Sequence, residues 1–232
     1  HVRALRVSPS GVVLDGSPIA IDAVVSVKEF PRVAALPGFA LIVWIDLAAG
    51  RRDVQYAMLR SDGVVLPSGG IALGPIGADK ARPTVASNGA EFFVVWSEPA
   101  GVLTEEIFGA RNSTAGAQIG PVIAITSAPN RQFTSSVAYG AGMYFVAWHD
   151  HRIAHNSYGA RVREDGVVLD STAIELTPLG SEDDHVEVSY DGVNFVVFYP
   201  HLETGNSDIG AVRLTPQGEK LDPAPTVIAS SA

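Results

Sequence analysis

Apolar positions along this chain come in blocks rather than in alternation. "GFALIVWID" (residues 38–46), "GAEFFVVWSE" (89–98), "GAGMYFVAWHD" (140–150) and "GVNFVVFYP" (192–200) each carry a glycine and then a nearly unbroken apolar run. In the first three a tryptophan closes the run and an acid follows two residues later. A strand with one wet face alternates apolar and polar residues, whereas consecutive apolar residues mark a strand covered on both faces. In the second unit the pattern predicts four strands, at residues 82–87, 91–98, 106–112 and 120–126. Asn88-Gly89, Pro99-Ala100-Gly101 and Thr114-Ala115-Gly116 separate them, and these residue types favour turns. No stretch keeps a 3.6-residue apolar period over a helical length.

The pattern is periodic. Trp44, Trp96, Trp148 and Phe198 stand 52, 52 and 50 residues apart. A second landmark has its glycines at Gly63, Gly116, Gly166 and Gly218, and a fifth copy, "ALRVSPSGVVLDGSPIAI" from Ala4, opens the chain around Gly11. Four strands in about 50 residues, covered on both faces, suit the blades of an all-β propeller. An immunoglobulin-like unit needs about 100 residues for seven strands. The expected division is one domain with a half-blade at 1–23 and complete blades at 24–74, 75–126, 127–177 and 178–232. Three arrangements fit: four blades plus a hairpin, five blades with one incomplete, or a segment of a longer propeller. An unpaired half-blade edge would also invite self-association.

Composition narrows the function classes. The 232 residues are 47% hydrophobic and 18% charged, with a net charge of −9. That sign, with no Lys/Arg cluster, argues against nucleic acid, which needs a basic footprint. The absence of cysteine excludes disulfides, thiolate metal sites and Cys nucleophiles. No apolar run is long enough to span a bilayer as a helix. The sequence starts at His1, without Met or a signal peptide, which reads as a mature or trimmed product.

The repeat, an apolar run with W-x-D/E followed by "I/V-x-x-A-R", resembles bacterial secreted β-propellers of the sialidase-like, or BNR-like, kind. The matching residues are Trp44-Ile45-Asp46, Trp96-Ser97-Glu98 and Trp148-His149-Asp150, with "DVQYAMLRSDG" (53–63), "EIFGARNSTAG" (106–116) and "NSYGARVREDG" (156–166). The resemblance covers nearly the whole chain. The Asp-box S-x-D-x-G-x-x-W is absent, and Phe198-Tyr199-Pro200 stands where W-x-D is expected. The resemblance implies an extracellular or cell-surface setting and a glycan or protein ligand, and such folds serve hydrolases and binders alike.

In an up-and-down blade the loops after the second and fourth strands share one face. Binding candidates on that face are Asp46, Glu98, Asp150, Arg152, Asp183, His185 and His201. His149, His151, His155 and Asp184 are candidate ligands for a divalent cation, because imidazole and carboxylate suit zinc and similar ions. His149 and His151 share a site only if the chain turns between them. Repetition of the acid at the end of each run suggests loop fixation as much as chemistry. Sialidase-like catalysis would draw on Tyr190 with Glu187 and on Arg32, Arg82 and Arg131. The expectation is a non-catalytic extracellular recognition module; the alternatives are a sialidase-like glycoside hydrolase and a structural segment of a larger surface assembly.

Overall fold

A computed structural model of the chain describes residues 1–48, 50–75, 79–153, 155–177, 185–203 and 206–229; the side chains of 68, 134, 201–203, 206 and 207 lie outside that description. It is an all-β propeller whose described residues form four four-stranded antiparallel sheets and one two-stranded sheet. The short sheet pairs β1 (Arg3–Ala4) with β2 (Ile19–Ala20). The blades follow in chain order. The first is β3 (Val27–Leu36), β4 (Phe39–Ala48), β5 (Arg51–Arg60) and β6 (Val65–Ala72); the second is β7 (Ala81–Ser87), β8 (Glu91–Pro99), β9 (Glu105–Ser113) and β10 (Gln118–Ala124). The third is β11 (Gln132–Gly140), β12 (Met143–Asp150), β13 (Asn156–Arg163) and β14 (Ile174–Glu175). The fourth is β15 (Glu187–Tyr190), β16 (Phe195–Glu203), β17 (Asn206–Leu214) and β18 (Thr226–Ala229). The first strands touch in sequence, β3 on β7, β7 on β11 and β11 on β15, and so form the inner wall. No helix among the described residues is long and apolar enough to cross a membrane.

The block pattern has a direct structural cause. Along β8, Phe92, Val94 and Trp96 pack into the core shared with the first blade, and Phe93 and Val95 into the core shared with the third. Along β12, Tyr144, Val146 and Trp148 face the second blade while Phe145 and Ala147 face the fourth. The second strands of the first three blades therefore divide their odd and even side chains between two apolar interfaces, and alternation disappears. Trp44, Trp96 and Trp148 are all completely buried, each on the side of the preceding unit. In the fourth blade Phe195, Val197 and Tyr199 hold that side. Tyr199 opposes Gly210 as Trp148 opposes Tyr158, and it lies 51 residues after Trp148. Tyr199 thus replaces Phe198 as the fourth landmark: which face a side chain takes is set by strand parity, and one residue of offset in the alignment reverses it.

Residue size is matched across the hairpins. Where the second strand has Phe93 or Phe145, the third strand has Gly109 or Gly159; where it has Leu41, the third strand has Tyr56. A Cβ on Gly159 would stand 2.6 Å from Phe145 Cε1, and one on Gly109 2.5 Å from Phe93 Cζ. Those contacts are too close for any side chain.

Residues 2–21 behave as the outer half of a blade. The amide of Ile21 donates to Val2 O as Leu73 does to Val54 O, Ile125 to Ile107 O and Leu176 to Ser157 O, all at 2.8–3.0 Å. Val2 and Ile21 cover Ile42 and Trp44 of the first blade. Arg6 donates to Ser61 O in the next unit's turn; Tyr56 does the same to Gly116 O, Arg111 to Asp165 O and Arg161 to Pro216 O. Arg6 also clasps Asp15 of its own hairpin, as Arg161 does Asp170 and Arg213 does Asp222.

Candidate functional site

The W-x-acid motif fixes the ends of the second strands. Trp96 Nε1 donates to Glu98 Oε2, and Trp148 Nε1 to Asp150 Oδ2, both at 2.9 Å. Asp150 is fully buried and also accepts from the Arg152 amide at 2.8 Å and from the Arg152 guanidinium at 2.6 Å. That guanidinium lies 4.1 Å from the Tyr158 ring centre. In the first blade Asp46 is used differently: it pairs with the buried Lys28 at 2.8 Å, and Lys28 pairs equally with Asp22. Burial works to lower the Lys28 pKa, and the hydrogen bonds that its ammonium donates to Asp22 and Asp46 outweigh it, so the ammonium is held charged. Asp46, Glu98, Asp150 and Arg152 are thus each held in contacts within the blade ends, for the elementary reason that a buried charge requires a partner.

Two of the remaining expectations fall on residues outside the description: Asp183 and Asp184. The backbone of His201 is paired with Asp208 in the β16–β17 hairpin, and its side chain is outside the description.

His185 has a different place. It precedes β15 and lines a cavity of about 100 Å³ at the starts of the four inner strands. Arg32 of β3, Arg82 of β7, Ser135 of β11 and Glu187 of β15 share that lining. These residues are distant in sequence and meet only because the blades turn round a common axis. Two of them are positioned by bulges. The register of β3 on β4 shifts between Glu29 and Arg32, and that of β7 on β8 between Ala81 and Thr84. Phe30 and Arg82 sit in these bulges at φ 51° and 48°, a conformation that side chains rarely adopt and that re-aims them out of the pleat. Glu187 accepts from Ser136 Oγ at 2.7 Å, which ties the third and fourth inner strands. Arg32 is exposed and forms no ion pair among the described residues; its guanidinium reaches only the Pro31 carbonyl, at 3.3 Å.

A histidine cluster adjoins this cavity. His149 is fully buried in β12, opposite Phe133 and Ser157. β12 ends at Asp150, and beyond it the chain turns, so that His151 Nε2 comes to 2.9 Å from His149 Nε2. His155 stacks on His151 with ring centres 4.0 Å apart. One ligand atom from each of the three lies within 4.8 Å of the others. Phe133 links the cluster to the cavity: its ring centre is 4.9 Å from His149 and from His151, and 5.9 Å from the Arg82 guanidinium. Arg131 also stands 5.2 Å from Phe133, with its charge paired to Glu105 at 2.7 Å. Three of the four candidate ligands, His149, His151 and His155, are thus brought together. The grouping of Arg32, Arg82, His185 and Glu187 has no sequence motif; Arg82 alone opens a strand that the sequence predicts, at 82–87.

No protein-family model matches the chain, and no curated protein matches its sequence. Solved structures do match in fold. The GH43 endo-arabinanase from Bacillus licheniformis aligns with a TM-score of 0.53 and 10% identity over 91% of this chain and 83% of that one. The GH43_1 enzyme from Xanthomonas citri, complexed with xylose, aligns at 0.58 and 12% over 90% and 75%. A subtype N10 neuraminidase-like protein of A/little yellow-shouldered bat/Guatemala/060/2010 aligns at 0.59 and 13% over 88% and 58%. The likeness is one of fold alone, and it supports the chain as a β-propeller.

Proposed function

We propose that the chain is a glycan-directed propeller, a single domain with blades at 24–74, 75–126, 127–177 and 178–232, that takes an anionic saccharide into the axial cavity. The observation that carries this reading is the convergence of Arg32, Arg82, His185 and Glu187 there. Two guanidiniums give paired donors matched to a carboxylate, and Glu187 and His185 offer hydrogen bonds to hydroxyls. The net charge of −9 opposes an anion at long range, but salt screens exposed charges beyond about 8 Å, so the local arginines decide. Under this reading the chain works outside the cell, as its resemblance to secreted propellers suggests.

A second reading, glycoside hydrolysis, is favoured by the fold comparisons over recognition without turnover. It would use Glu187 as one carboxyl and needs a second at about 5–10 Å. The described lining supplies Glu187 alone. Elsewhere on the same face Glu106, opposite Glu98, has its carboxyl pushed up by burial, as suits a general acid.

Titration of the purified chain with a uronic-acid oligosaccharide, a sialoside and a neutral arabino-oligosaccharide, read both as heat and as reducing ends released, separates these readings. Saturable binding of the acidic sugars, weakened about tenfold or more in Arg32→Ala by loss of charge-assisted hydrogen bonds, supports recognition. Turnover abolished by Glu187→Gln supports hydrolysis. Binding of none of the three sugars, or of the neutral one alone, overturns the proposal.

A further inference from the structure

We propose that His149, His151 and His155 form a transition-metal site that takes Zn²⁺, a site separate in its chemistry from saccharide binding. Three imidazoles within seven residues converge on one hairpin end, with a ligand nitrogen from each within 4.8 Å of the others. Nitrogens bound to tetrahedral zinc lie about 2.0–2.1 Å from the ion, which puts them roughly 3.3–3.4 Å from one another. The observed spacing brackets that value, with 2.9 Å between the Nε2 atoms of His149 and His151. Small side-chain rotations complete the approach, and the exposed His155 has room for the largest.

Two of the three ligands are already held in place. His149 lies within the β12 ladder, between Phe133 and Ser157. The His151 backbone is held on both sides, its amide donating to Arg131 O at 2.9 Å and its carbonyl accepting from Asn130 Nδ2 at 3.1 Å. This fixing lowers the ordering cost of binding. The intervening Asp150 is occupied by Trp148 and Arg152, so the donor set is nitrogen alone. Imidazole suits zinc, copper and nickel, whereas calcium and magnesium require oxygen ligands. Arg131 and Arg82 near Phe133 oppose a cation, and Glu105 offsets the first of them. Three protein ligands leave a fourth position for water or a ligand.

The test uses the full chain freed of metal. Zn²⁺ is titrated against a chromophoric chelator, and Co²⁺ is followed by its visible absorption. The expected result is one equivalent of Zn²⁺, Co²⁺ bands of four- or five-coordinate intensity, and an affinity lowered about tenfold or more in His155→Ala and in His151→Ala. His1→Ala should bind as the parent does. His155 is exposed, so that variant should keep the parent's far-UV circular dichroism, and its result stands apart from any folding defect. Absence of saturable Zn²⁺ binding, binding undiminished in both variants, or equal displacement by Ca²⁺ would overturn the site. None of these outcomes bears on saccharide binding.

Discussion

The indole N–H of Trp148 donates to Asp150 Oδ2 across two residues of one strand end, at 2.9 Å. Both residues are fully buried, and the same carboxylate neutralises Arg152. Removing it leaves an indole donor without its acceptor and a largely buried guanidinium without its counter-charge, holding only the Thr172 carbonyl. Breaking a buried pair in this way costs about 3–5 kcal/mol. Asp150→Ala should therefore lower the urea midpoint markedly, with Glu98→Ala, at a more open position, doing so less. Equal and negligible shifts would show that the acid is dispensable to the blade.

Gly159 and Gly109 lie against phenylalanine rings with no space for a methyl group. Gly159→Ala should destabilise by about 1–3 kcal/mol through overpacking. Combining it with Phe145→Leu should recover part of the loss, as the Leu41 and Tyr56 combination in the first blade suggests. Thermal denaturation of the single and double variants would check this; a double variant with simply additive losses would contradict it.

Three Arg–Asp clasps are expected to make stability sensitive to acid. Hydrogen bonds from Arg6 and Arg213 hold the carboxyls of Asp15 and Asp222 below the usual range. Burial of Asp170 works the other way, and its bonds from Arg161 outweigh it. A carboxyl with a lowered folded-state pKa stabilises above its unfolded pKa, about 3.9, and loses that contribution as pH falls through the folded value. Stability should thus fall below about pH 4, and Asp170→Asn should flatten that part of the profile. A variant whose acid profile is superimposable on the parent's would rule the clasp out as a contributor.

The half-blade keeps Trp44 dry. Removing residues 1–23 uncovers the face of β4 that carries Ile42 and Trp44. Exposed apolar area costs about 25 cal/mol per Å². The truncated chain should melt lower, and its tryptophan emission should shift to the red. Unchanged emission would mean that another segment covers that face.

Much of the architecture was legible because both-face burial and a repeat near 50 residues leave few alternatives to stacked blades. Strand limits in the second unit, expected at 91–98 and found at Glu91–Pro99, needed only the apolar run and its turns. The axial cavity was not legible. Arg32, Arg82 and Glu187 are single residues on strands about 50 or more apart, and no local period links them. Their meeting depends on the rotation between blades and on two bulges, and neither leaves a trace in hydropathy. The histidine cluster was half legible: its members were evident, but the turn after Asp150 that brings His149 and His151 together depends on the end of a strand ladder. The acids of the W-x-acid motif were evident as a pattern, while their occupation by Trp96, Trp148, Lys28 and Arg152 needed side-chain positions.

The contact from each unit to the next has a consequence for how such a chain can vary. Arg6, Tyr56, Arg111 and Arg161 all reach forward to a main-chain carbonyl: Ser61, Gly116, Asp165 and Pro216. A carbonyl is present whatever side chain its residue carries. The four turns read "RSDG", "STAG", "REDG" and "TPQG", yet each presents a main-chain acceptor to the preceding unit, from its second, fourth, third and second residue in turn. The outer rim can drift in sequence, charge and size while alignment between neighbours persists, so mutational freedom at these tips and mechanical constraint at their bases coexist within three or four residues.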